Sequence, residues 1–206
     1  EWPFYHDDPN PERGFYWLSY NTSKRGITLN IETKEGQELF NRLVERADAV
    51  IESFTPGYLD GLGLGYGDLQ KINPRIILTS ITPFGQTGPY SSYRGEDLVC
   101  WALSGKMYIT GDPDRAPVRV SHVPHAYFHG SADGAAGTAM AIFWRGTSGR
   151  GQHVDVSMQE SLEKVGIHSH VAWALLRRLA PRGTFLSTPP SNSRTSFIWQ
   201  CKDGYI

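Results

Sequence analysis

"DAVIESFTPGYLDGLGLGYGDLQKINPRIILTSITPFG" (residues 48–85) is the stretch on which the fold turns. It opens on DAVIESF, a short β-branched run that reads as a buried strand, and closes on RIILTSITPFG, a second buried strand with a glycine-rich exit. Between them, YGDLQKINP reads as a short helix capped near Gly67 and Asp68 and stopped before Pro74. Strand, helix and strand at these lengths imply parallel pairing through a right-handed crossover. GLGLGYG (residues 61–67) alternates glycine with Leu and Tyr and reads as a tight surface turn. A phosphate cradle would need a strand before it and a helix directly after.

The same alternation of elements extends outward. Residues 1–14 are rich in proline and acid and read as loop. GITLNIET (residues 26–33) alternates apolar and polar residues, as a short strand does. KEGQELFNRLVERA predicts a helix with Leu39, Phe40, Leu43 and Val44 on one face. Beyond residue 85, GEDLVCWALSGKM reads as a helix and DPDRAPVRVSHVP as a loop with an extended piece. SADGAAGTAMAIFWRG (residues 131–146) predicts a long helix. Its Gly134, Ala135, Ala136, Gly137 and Ala139 leave part of its surface bare, so another element must approach the backbone closely. HVDVSM reads as a strand leading into a helix from about Gln159 to Leu179, and the tail after it as turn-rich, then strand-like. This order predicts an α/β fold with a parallel sheet.

Composition narrows the function. With 39% hydrophobic and 20% charged residues, a packed core is feasible and global disorder is excluded. A net charge of −1 argues against a nucleic-acid surface. Cys100 and Cys201 lie far apart and make neither a metal pair nor a disulfide framework, which fits a reducing, cytoplasmic setting. No stretch is long and apolar enough to span a membrane, and the first residues show no signal-peptide pattern. The sequence starts without Met and stops at CKDGYI as a strand begins, so both ends of a longer chain are expected to lie outside it.

SHVPHAYFHGSADG brings His122, His125 and His129 beside the small-residue run. His125, His129 and Asp133 are spaced to share a helix face. Three readings stand: a metal site, a catalytic histidine, or loop histidines bonded to backbone. The metal reading needs unbroken helix from Pro124 onward, which Gly130 is expected to interrupt. Asp133 then falls in a first helical turn, where it complements the helix dipole.

Several phrases line up in order: NTSKRGITLNIETKEGQELFNRLVERADAVIESFTPGYLDGLGLGYGDLQKINPRIILTSITPFGQTGP, then EDLVCWALSG, then RGTSGRGQHVDVSMQES. Together they resemble the family III CoA-transferases, the group of formyl-CoA transferase, the carnitine-pathway CoA-transferase and α-methylacyl-CoA racemase. The likeness runs from Asn21 to about Ile206. It implies a Rossmann-like domain flanked by helices and joined to a small domain. It also implies two chains threaded as interlocked rings, and members about twice this length. On this reading residues 1–20 are an N-terminal linker piece and 21–206 the large-domain portion. FYWLSY (residues 15–20) would line an acyl pocket or cover a first strand.

The resemblance also implies the chemistry. A carboxylate attacks the thioester carbonyl, CoA thiolate leaves, and the mixed anhydride exchanges acyl groups. Partial desolvation of that carboxylate and backbone N–H donors for the oxyanion support the step. The racemase branch relays a proton between a His and an Asp through an enolate. The family's nucleophilic Asp falls, by count from Arg145, on Ala126 or Tyr127, and neither is a carboxylate. The racemase histidine corresponds to Glu96, with Asp97 beside it. Three alternatives follow for the transferase chemistry. Glu96, or Asp133, supplies a displaced carboxylate; His125 acts as a base with Tyr127 as donor; or the chain is a non-catalytic subunit of a heteromer. An acyl-CoA racemase or isomerase of the same family is the further alternative.

For coenzyme A, the resemblance carries over Lys24 in NTSK, Arg94 as a second basic contact, and Ser53–Phe54 beside the adenine. The family's nearby arginine is Gly61 here. The bland readings are solvated charge for Lys24 and Arg94, and core for Phe54. In TSGRGQHVDVSM, Gly149 and Gly151 shape a turn into the strand, and Arg150 holds that turn or an interface. The expected substrates are an acyl-CoA and a carboxylic acid, with no metal, redox cofactor, nucleic acid or membrane. The expected assembly is an interlocked homodimer or a heteromer with a homologous chain.

Overall fold

The computed structural model describes residues 3–111, 114–165, 167–179, 182 and 201–204. The strand expected in the tail after residue 182 lies outside them. The chain divides into two compact units, Glu1–Gln37 and Glu38–Ile206.

In the first unit, 3-10 turns at Tyr5–Asp7 and Pro11–Arg13 lead into helix α1 (Phe15–Tyr20). A single bridge joins Phe4 to Gly14, and Arg13 pairs with Asp8. FYWLSY is thus helical, with Phe15, Trp17, Leu18 and Tyr20 exposed. Residues 26–33 do not form the expected strand. A strand exists through its ladder, and no segment described in this unit offers a partner edge. Helix α2 (Lys34–Val44) spans the division.

The second unit continues with β1 (Ala49–Glu52), α3 (Tyr58–Gly61), α4 (Tyr66–Ile72), β2 (Ile77–Thr82), α5 (Asp97–Leu103) and α6 (Lys106–Ile109). It ends with α7 (His125–Ser148), β3 (His153–Ser157), α8 (Met158–Lys164) and α9 (Ile167–Leu176). The described strands form one parallel sheet in the order β1-β2-β3. Val50 stands opposite Leu78, and Ser80 opposite Asp155. β2 is central and buried on both faces, as its run of apolar and small residues requires. β1 is expected to be buried, but among the described strands it lies at the sheet edge, where Ile51 is 61% exposed.

Helices cover both faces of the sheet. On one, Val44, Leu69 and Ile76 form a core with Phe40, Val50 and Tyr66 against them. Of the four apolar residues expected to share the α2 face, only Phe40 and Val44 turn inward; Leu39 and Leu43 are exposed. On the other face lies α7. Its buried stripe is Ala126, Gly130, Gly134, Thr138, Ala141 and Arg145, near-regular steps of four. A Cβ at Gly134 would stand 2.6 Å from Ile81 Cδ1, and one at Gly137 2.8 Å from Val154 Cγ1. Missing side chains therefore set how near this helix comes to the sheet. Thr79 and Thr138 hydroxyls meet across the interface at 2.6 Å.

Helix α7 begins at His125, one and a half turns earlier than the sequence suggests. Gly130 does not interrupt it: a Cβ there would stand 2.8 Å from Met158 Cγ, so the glycine admits α8 rather than ending α7. Asp133 consequently sits in the helix interior, paired with Lys164 of α8 at 2.7 Å, and not in a first turn. The start is held from outside. Pro124, at the N-cap, offers no side-chain acceptor; instead the buried Asp97 of α5 accepts the Ala126 N–H at 2.7 Å. Arg119 bonds Asp97 at 3.0 Å and the carbonyls of Ser121 and His122 at 2.6 and 2.9 Å, fixing the loop that feeds the helix.

The far end is held as firmly. Gly149 adopts φ +73°, and its N–H donates to the Arg145 carbonyl. Arg145 donates to the carbonyls of Asp48 and Arg75 and to the Asp48 carboxylate, tying α7 to the entries of β1 and β2. Ser157 ends β3 and caps α8 by accepting the Glu160 N–H. The single helix expected from Gln159 to Leu179 is two, α8 and α9, with Val165 at the α8 C-cap.

Candidate functional site

The carboxyl ends of β1 and β2 open into a cleft of about 630 Å³. This is where parallel sheets bind ligands, because connecting loops diverge there and leave backbone groups free. Ile51 to Phe54 form one wall as β1 ends. Ile81 and Pro83 from the end of β2, Gly95 ahead of α5, Tyr127 and Ser131 of α7 and Met158 of α8 complete the lining. The first turns of α7 and α8 thus both face the opening.

The cleft gathers three of the residues singled out in the sequence: Ser53, Phe54 and Tyr127. Phe54 is not core. It is 44% exposed, its ring lies 4.8 Å from that of Tyr58, and its N–H donates to Glu52 Oε2 at 2.6 Å. Arg94 is exposed, next to the lining residue Gly95. Glu96 is exposed at the N-cap position of α5 and is not among the lining residues. His125 lies outside the lining too. Its Nε2 is 3.1 Å from Ser121 Oγ, and its ring meets Trp101 edge-on at 5.6 Å and stacks toward His129 at 6.2 Å. Lys24 belongs to the first unit, where its Nζ donates to Asn21 Oδ1 at 3.2 Å.

Sequence reading passed over Glu52, Ser131 and Met158. Glu52 is the one carboxylate in the cleft lining, and one of its oxygens is occupied by the Phe54 amide. The signal for it was available: strand β1 ends at Glu52, and a charged residue at the carboxyl end of a strand faces the ligand edge of the sheet. At the position counted for the family's aspartate, Ala126 is fully buried and its N–H is taken by Asp97. Asp133, pulled below the usual carboxylate range chiefly by its hydrogen bond from Lys164, faces α8 rather than the cleft. Cys100 lies under the site, its thiol pushed up to about 11, first by burial and then by the Asp97 charge.

The helix is continuous through His125, His129 and Asp133, so the geometric premise for a metal face exists. Among the described residues, however, no three of His, Cys, Asp and Glu converge to hold a metal ion. No helix of the described chain is long and apolar enough to cross a membrane.

The family model for CoA-transferase family III matches residues 2–206. Subunit BbsE of succinyl-CoA:(R)-benzylsuccinate CoA-transferase from Thauera aromatica is 37% identical over 204 residues, covering 99% of this chain and 48% of that protein. The beta subunit of the Chloroflexus aurantiacus succinyl-CoA–L-malate CoA-transferase is 35% identical over 166 residues, covering 81% of this chain and 41% of that one. Among solved structures, a CaiB/BaiF family protein from Brucella suis superposes with a TM-score of 0.75 at 36% identity, covering 88% of this chain and 47% of that chain. The chain therefore spans about half, or less, of the length of the relatives it matches. The match over nearly the whole sequence leads to one conclusion: the chain belongs to CoA-transferase family III.

Proposed function

We propose that this chain binds a CoA thioester in the cleft and serves as the non-catalytic subunit of a heteromeric CoA-transferase, with a homologous chain supplying the nucleophilic carboxylate. One observation carries the reading. The first turn of α7 offers Ala126 and Tyr127 where the family's aspartate is expected, and Ala126 is buried with its amide already engaged. Asp97, the nearest carboxylate in that turn's surroundings, is buried and tied to Arg119 and Ala126, so it is a positioning residue. Relatives named as subunits of succinyl-CoA-dependent transferases support the heteromer. Ser53 and Phe54 contact the nucleotide end of CoA, Arg94 meets its phosphates, and Tyr127 donates toward the thioester. The acceptor is a carboxylic acid. Assembly is as interlocked rings, in a reducing, cytoplasmic setting.

A second reading keeps the chemistry here: a carboxylate of this chain, Glu52 in the cleft lining or the exposed Glu96 near it, attacks the thioester, with His125 nearby as a base. Trapping decides between the two. Full-length protein is prepared alone and co-expressed with a homologous chain that carries the aspartate. Each is given succinyl-CoA and an acid acceptor, then quenched with hydroxylamine or borohydride. Transfer only by the pair, with the modified carboxylate on the partner, is expected. Modification of Glu52 or Glu96 in the isolated chain overturns the subunit reading. Absence of CoA binding by either preparation overturns both.

A further inference from the structure

We propose that a second pocket, between α6 and α9, binds a monocarboxylate with an apolar body, its carboxylate resting on Lys106. The pocket measures about 310 Å³ and shares no lining residue with the cleft. Lys106, Tyr108, Ile109, Ser169, Trp173 and Leu179 contribute to its wall. The proposal stands independently of the CoA reading.

Two polar groups in this wall lack partners. Lys106 is only 8% exposed, and among the described residues its Nζ has no hydrogen-bond or ion-pair partner, so the charge acting on it is that of Glu163. The Ser169 hydroxyl is buried and makes no hydrogen bond among the described residues. A lysine this enclosed favours an anion beside its ammonium, because desolvating a charge without a partner is unfavourable. Burial pushes the Lys106 pKa down, opposed by the field of Glu163. Glu163 acts on it through its charge, without an ion pair to Lys106, while Glu163 Oε1 meets His170 Nε2 at 2.6 Å. An incoming carboxylate would give the ammonium its counter-charge and accept from the Ser169 hydroxyl. Tyr108, Ile109, Trp173 and Leu179 would cover its hydrocarbon. At the ~30 Å³ that a small group occupies in a liquid, the volume suits roughly ten non-hydrogen atoms, the size of octanoate.

Calorimetry on the full-length protein with octanoate and 1-octanol tests this, with saturating CoA present to fill the cleft. Octanoate is expected to bind at least tenfold more tightly than octanol. Lys106→Met should abolish or invert that preference, while Lys106→Arg should keep it. Trp173→Ala should weaken both ligands together. Equal affinity for acid and alcohol, no octanoate binding up to millimolar concentration, an unchanged preference in Lys106→Met, or displacement of octanoate by CoA would each overturn the proposal. If Lys106→Met does not fold, the acid-over-alcohol preference of the native protein and of Lys106→Arg decides alone. A failure of CoA binding leaves the octanoate result readable, so the two readings fail separately.

Discussion

Replacing Asp97 by alanine removes the acceptor that starts α7. The carboxylate bonds the Ala126 N–H at 2.7 Å and Arg119 at 3.0 Å. A hydrogen bond to a charged group contributes about 1.5–3 kcal/mol. The ion pair adds about 0.5–1 kcal/mol, since the Arg119 side chain is 32% exposed and water screens it. The loss in Asp97→Ala is therefore about 2–4 kcal/mol, a fall in Tm of about 4–16 °C for a domain of this size. Asp97→Asn keeps an oxygen facing the amide and loses only the charge, so it should cost about half as much. Thermal unfolding of the full-length protein gives the global figure. Hydrogen exchange at the Ala126 amide gives the local one, and it should be faster in Asp97→Ala. A Tm within 1 °C of the parent with unchanged protection at Ala126 would refute the view that α5 sets the start of α7.

Other substitutions probe the remaining contacts. Gly151→Ala would bring a Cβ to 1.7 Å from the Ile76 carbonyl oxygen, a backbone atom that cannot turn aside, so a loss of about 3 kcal/mol or more is expected in urea unfolding. Gly146→Ala meets nothing within 4 Å inside α7 and should instead stabilise by about 0.5–1 kcal/mol. The Asp133 carboxyl is depressed by Lys164, so its contribution is complete above about pH 5 and is lost as pH falls through its lowered folded value; Lys164→Met should flatten the acid limb of stability by under about 1 kcal/mol. With its thiol near 11, Cys100 is about 0.03% thiolate at pH 7.5 and should resist iodoacetamide until denaturant is added. Rapid labelling of Cys100 in the native protein would contradict its burial under the cleft.

The parallel sheet was legible because β2 carries an unbroken run of small and β-branched residues that only a two-sided burial explains. The close approach of α7 was legible because its glycines recur at helical spacing. Its beginning was not. Gly130 looks like an interruption locally, and the group that starts the helix, Asp97, is 29 residues away in sequence. The strand expected at residues 26–33 was read from alternation, which reports a two-faced ribbon but not whether a neighbour exists to pair with it. Ser53, Phe54 and Tyr127, each singled out for a separate role, line one cleft. The signal for Glu52 is its place at the carboxyl end of β1, which periodicity does not report, and Lys106 leaves no mark in the sequence because burial of a lysine has no local pattern.

Asp97 and Arg145 hold α7 near opposite ends, with Ala126 and Arg145 separated by about 28 Å of helix rise. A rod pinned twice cannot slide or roll to absorb damage. Loosening the guanidinium at the entry edge of the sheet should therefore shift Tyr127 at the exit edge, and ligand affinity should register a lesion that touches no ligand.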